Sequence, residues 1–87
     1  MTAPLPHPQV LALAALGWVL SDADRAARLL ALTGLTPEVL RDGLDDPATL
    51  GAVLDFVCAH EPDLVAAAEA IEVTPQDLAA AGERLVR

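Results

Sequence analysis

Cys58-Ala59-His60-Glu61 is the densest run of chemically able side chains in the sequence. A thiolate, an imidazole and a carboxylate are the donors that hold zinc. The spacing argues against a metal centre. Cys58 and His60 are two apart and face different sides of a helix, and zinc wants four ligands. Cys58 is read as a buried thiol. His60 is read as an exposed imidazole at a helix end, where its cation would suit the C-terminal dipole. A second cluster, Asp42, Asp45 and Asp46, lacks the calcium-loop pattern, and Asp46 is better used as the N-cap of a helix starting at Pro47. Ser21 is the only serine. Its Leu-Ser-Asp setting is not the Asp-Ser-Leu that carries the prosthetic arm of acyl carrier proteins. There is no Tyr and no Lys, and no nucleophile lies beside a base in any motif. The expectation is a non-enzyme with no catalytic residue, no cofactor and no metal.

Charge narrows the partners. Five Arg oppose thirteen Asp and Glu, a formal charge of −8, which repels nucleic-acid phosphates and acidic membranes and favours basic partners. Val10–Leu20 carries no polar side chain, yet it is shorter than the roughly 20 residues of a membrane span. No positive charge precedes it as a secretory signal requires. One cysteine excludes an internal disulfide and fits a reducing compartment. The expected setting is cytoplasmic, without a membrane.

The elements that would position these residues are marked by proline, which is favoured at the first helical position. His7-Pro8, Thr36-Pro37, Asp46-Pro47, Glu61-Pro62 and Thr74-Pro75 predict starts, and Ser21 as N-cap with Asp24 at N3 predicts another. Six helices follow, about 8–20, 22–33, 37–43, 47–60, 62–72 and 75–86. Apolar stripes at helical spacing support them: Ala26, Leu29, Leu30 and Thr33; Leu50, Val53, Leu54, Val57 and Cys58; Leu64, Ala67, Ala68 and Ile71; Leu78, Ala81, Gly82 and Leu85. No window alternates with period two. The fold class is all-α, a compact bundle of five to six short helices in a single domain over 1–87, with 1–7 an extended N-terminal segment. The first helix, apolar on every side, is expected at the centre, or to lend one face to a partner.

LTPEVL at 35–40 and VTPQDL at 73–78 share one design. A Thr N-cap precedes Pro at N1, and apolar residues at N′ and N4 form a hydrophobic staple. Gly34 suits the left-handed position that ends the second helix, with Leu35 closing a Schellman motif onto Leu30. Glu72 occupies the matching place in the second copy, which predicts a looser or differently shaped turn there. Shared punctuation is preferred to duplication.

ARLLALTGLTPEVLRDGL invites a helix–turn–helix reading over 26–44. Its second helix offers Arg41 against Glu38 and Asp42, so a plain helical hairpin is preferred and nucleic acid is disfavoured. Arg25 and Arg28 share a face; a solvated face is the default reading, with pairing to Asp22 and Asp24 or an acidic partner as the alternatives.

The residues ARLLALTGL at 27–35 and Ala-Val-Leu-Asp-Phe at 52–56, followed by an acidic break, carry a resemblance over nearly the whole chain. The sequence resembles the domain of unknown function 3572 family. That resemblance implies a small bacterial cytoplasmic protein and brings no site residues. The leading expectation is a non-catalytic protein-interaction or regulatory module, with a protein partner or a homodimer. Leu11, Trp18 and Leu20 form the candidate contact surface, and plain core is the competing reading of Trp18. The rivals are nucleic-acid binding through 26–44 and a small-ligand carrier or enzyme of unknown type.

Overall fold

The computed structural model describes residues 7–85. Residues 1–6 of the expected extended segment lie outside it. Six helices run in order: α1 Pro8–Leu20, α2 Ala23–Thr33, α3 Pro37–Asp42, α4 Pro47–Cys58, α5 Glu61–Ala70 and α6 Pro75–Leu85. No strand occurs among the described residues. The Cα radius of gyration is 12.0 Å, against about 12 Å expected for a compact chain of this length.

The helix starts follow the capping chemistry. Thr36 accepts the Val39 N–H and Asp46 accepts the Ala48 N–H. Thr74 and Asp77 form a reciprocal box, the Thr74 hydroxyl accepting from the Asp77 N–H and the Asp77 carboxylate from the Thr74 N–H. One start is corrected. Asp22, not Ser21, caps α2, accepting the N–H groups of Asp24 and Arg25. Ser21 belongs to the end of α1 and donates its hydroxyl to the Trp18 carbonyl. The bond from the Arg25 N–H holds the Asp22 carboxyl below its ordinary range, with smaller help from the Asp24 N–H and the nearby Arg25 and Arg28 charges, against partial desolvation. A depressed folded-state pKa gives stability that is present above the unfolded value and lost as pH falls through the folded one. Asp22→Ala should therefore melt below the wild type at neutral pH. The gap should close as pH drops below about 4, measured by thermal denaturation across a pH series.

The helix ends differ from expectation, and the difference is informative. Gly34 is left-handed at φ +73° and returns its N–H to Leu30 O, which is the simple left-handed cap. The Leu35 N–H goes to the Thr33 hydroxyl instead, so no Schellman motif forms there. The Schellman motif stands at the end of α5. Val73 N–H reaches Ala68 O, Glu72 N–H reaches Glu69 O, and Glu72 takes φ +61°. The second turn thus has the same left-handed corner as the first, held on a residue with a side chain, and α5 stops at Ala70 rather than at 72. Left-handed backbone costs an L-residue about 1–2 kcal/mol, more than the roughly 0.5–1 kcal/mol of extra chain entropy that glycine brings. Glu72→Gly should therefore stabilise by about 0.5–1 kcal/mol, a rise in Tm of roughly 2–8 °C for a domain this size.

The core forms where the stripes meet. Leu29, Leu50, Val53, Leu54, Val57 and Leu78 are fully enclosed. α4 packs most extensively on α6 and α1 and also meets α5 and α2, while α1 meets α2, α4, α5 and α6, so α1 shares the centre of the bundle with α4. α1 is not buried all round, however. Leu11, Ala12, Ala15, Leu16 and Val19 face inward, while Val10, Leu13, Ala14, Gly17 and Leu20 are exposed. An 87-residue chain has too few helices to surround one completely.

Candidate functional site

Two concave surfaces stand out among the described residues. The first, about 260 Å³, is lined by Leu16 and Leu20 of α1, Leu30 of α2, Pro37, Leu40 and Arg41 of α3, and Leu44 just beyond it. Its wall is apolar except for Arg41. α1 supplies one side because Leu16 and Leu20 lie one turn apart on the same face. The Gly34 corner turns α3 back so that Leu40 reaches the core while Pro37 and Leu44 stay near the surface. Leu20 is 52% and Leu44 41% exposed, so large apolar side chains stand open at its mouth. The exposed α1 residues Val10, Leu13, Gly17 and Leu20 follow one another three or four positions apart, so an exposed apolar stripe runs along that helix and meets the groove at Leu20.

The second, about 400 Å³, lies among Arg28, Leu32, Asp55, Phe56, Ala59, His60 and Asp63. Its chemistry is largely spoken for. The Arg28 guanidinium donates to Asp63 at 2.8 Å and lies 5.9 Å from the centre of the Phe56 ring. Rather than pairing locally with Asp22 or Asp24, one of the alternatives for it, Arg28 ties α2 to α5.

The residues singled out from sequence are scattered. Leu11 is only 4% exposed and is core, so it offers nothing to a contact surface. Trp18 is half-buried against the core, and the Arg25 guanidinium covers one ring face at 3.8 Å. That same guanidinium donates to the Trp18 carbonyl at 2.9 Å and to the Ser21 hydroxyl at 3.0 Å. Arg25 thereby closes the C-terminus of α1, where a cation also suits the dipole. Leu20 alone of the three is open surface, at the edge of the apolar groove.

Cys58 and His60 are separated by a helix break. Cys58 ends α4, whereas His60 is the N-cap residue of α5 and bonds no cap N–H. The expected C-terminal-dipole role of His60 is thus replaced by a place at a helix start. The cause is Pro62, which has no N–H to continue the α4 ladder. Burial pushes the Cys58 thiol above its ordinary pKa, and the Asp55 charge adds to the shift. Among the described residues no group of three or more His, Cys, Asp or Glu is arranged to hold a metal ion, and no helix is long and apolar enough to cross a membrane.

Sequence reasoning missed the groove. Leu16 on α1, Leu30 on α2 and Leu44 beyond α3 lie fourteen residues apart in turn, so no helical periodicity joins them. The family described as protein of unknown function (DUF3572) matches residues 6–86. The chain belongs to that family. No curated protein and no solved structure matches it significantly. As a DUF3572 protein it inherits no assigned site, so a functional reading has to start from its surface.

Proposed function

We propose that this DUF3572 protein is a non-catalytic interaction module that receives a helix of a partner protein in the groove between α1, α2 and α3. The observation that carries the reading is the open apolar surface there. Leu20 and Leu44 stand half-exposed at a groove with one charged side chain in its wall, where contiguous apolar surface open to solvent marks an interaction site. Helix-in-groove docking needs such a trough, read by apolar anchors one turn apart. The exposed carboxylates of α3 favour a protein over a nucleic-acid backbone. A reducing, cytoplasmic setting suits the free Cys58.

Photo-crosslinking amino acids placed at Leu20 and Leu44, with controls at the exposed Ala66 of α5 and Ala80 of α6, test the reading in cells of the source organism. The expected result is a protein captured from the groove positions only. Once purified, it should rebind the wild type and not Leu44→Asp. Equal capture at the controls, or rebinding indifferent to Leu44→Asp, would count against it.

A further inference from the structure

We infer that the segment seated in this groove is a cationic amphipathic helix, with an apolar face for the groove floor and Lys or Arg along one flank. The inference rests on the docking role proposed for the groove and adds the chemistry of the occupant.

Charge around the groove is lopsided. α1 carries no charged residue from Pro8 to Leu20, so that side is neutral. The α3 side is acidic. Glu38 and Asp42 are exposed on α3, and Asp45 and Asp46 follow in the connection to α4. By helical spacing Pro37, Leu40 and Arg41 share the groove face, which Leu44 extends just beyond the helix, while Glu38 lies on the flank beyond Arg41, with Asp42 next to it. Glu38, Asp42 and Asp45 thus lie near this edge beside one guanidinium, while Asp46 turns to the start of α4, where it accepts from the Ala48 N–H and the Thr49 hydroxyl. Arg41 makes no ion pair within 4 Å among the described residues. The remainder of the chain does not offset the edge, since the formal total is −8. An acidic or neutral apolar helix would fill the floor but leave these carboxylates unmatched. A basic flank would match them and be steered toward the groove from a distance.

The shape fits a helix better than an extended strand. The exposed stripe from Val10 to Leu20 follows a straight α1 for about 15 Å at 1.5 Å per residue, then runs into the groove at Leu20. A partner laid along it would present about three turns. No sheet edge occurs among the described residues to receive a strand. A second copy of this chain is a poorer occupant, because it would bring another −8 toward the same acidic edge.

The test uses the full chain and three synthetic helical peptides of sixteen residues. All share one leucine face and differ only in a flank of Lys, Gln or Glu. Binding is read by fluorescence anisotropy at low and at physiological salt, and the site by amide chemical shifts. The Lys peptide should bind at least tenfold more tightly than the Gln peptide, weaken with salt, and shift amides of Leu20, Leu40 and Leu44. The Glu peptide should not bind. Asp42→Lys with Asp45→Lys, both at exposed positions, should remove the preference for Lys and leave the Gln peptide unchanged. Leu44→Asp should abolish binding of both.

The failures are distinguishable. Equal affinity for the Lys and Gln peptides overturns the cationic partner and leaves the docking groove standing. No binding by any peptide overturns the groove itself. Lys-peptide binding that survives Leu44→Asp and shifts no groove amides is unspecific attraction to an acidic protein, and overturns the inference. Self-association that buries Leu44, seen by sedimentation, overturns it too.

Discussion

Leu54→Ala is expected to lower the unfolding free energy by about 2–5 kcal/mol, the range for emptying a fully buried leucine site. Leu54 has no solvent exposure. It sits on α4, the helix packed against both α6 and α1, and its Cβ lies 3.4 Å from where a side chain on Gly82 of α6 would begin. A Cβ at Gly82 would thus stand at ordinary van der Waals distance from Leu54, and α4 is held by α1 as well as by α6, so it has little freedom to close over a cavity. Collapse is the usual route by which such substitutions become mild, and here the route is narrow. At about 0.05–0.15 kcal/mol per residue, a domain this size has roughly 4–13 kcal/mol in total. The loss is a large share of that. Urea denaturation should show a lower midpoint with an unchanged slope. Leu32→Ala supplies the contrast. Leu32 is 76% exposed, and its removal should stay within about 0.5 kcal/mol of the wild type. If the two leucines cost the same, the burial that separates them is not what stabilises the fold.

That contrast is legible in part in the sequence. Leu50, Val53, Leu54 and Val57 repeat at helical spacing with Asp55 off the stripe, and all four are enclosed. Leu78, Ala81, Gly82 and Leu85 behave the same way. Helix starts were legible because proline fixes φ and a Thr or Asp beside it supplies the cap, both local facts. Helix ends were harder. Glu72 adopts φ +61° because the Schellman bonds to Ala68 and Glu69 hold it there, and nothing in a glutamate announces that. α1 was illegible in orientation for a different reason. With no polar residue among Val10–Leu20, periodicity has no contrast to read, and tertiary packing alone decides that Leu11 turns inward and Leu13 outward. The groove failed for a third reason. It exists because the turn between α1 and α2 sets Leu30 beside Leu16 and Leu20, and the Gly34 and Gly43 corners return α3 and Leu44 to them. Distance along the chain hides such a meeting.

The Gly43 corner supports the second large effect. Gly43→Ala is expected to destabilise by about 1–3 kcal/mol, the usual range for forcing extra volume into a packed site. Gly43 ends α3 at φ −104°, a conformation alanine adopts freely, so backbone strain is not the cause. Space is. A Cβ there falls 2.6 Å from the Thr49 hydroxyl, 3.0 Å from Thr49 Cβ and 3.0 Å from the Val39 carbonyl oxygen. None of these is the far end of a flexible chain. Thr49 is β-branched and stiff at χ1, it is buried, and its hydroxyl donates to Asp46 at 3.2 Å. Asp46 in turn accepts the Ala48 N–H at the start of α4. The added methyl therefore pushes on the hydroxyl that steadies the cap of the next helix. Thr49→Ala removes the nearest obstacle while leaving its Cβ and the Val39 carbonyl in place. The double variant Gly43→Ala with Thr49→Ala should then be more stable than the sum of the single losses predicts, by at least about 0.5 kcal/mol. Strict additivity in chemical denaturation would mean that the close approach of Gly43 to Thr49 is not what requires glycine at this corner.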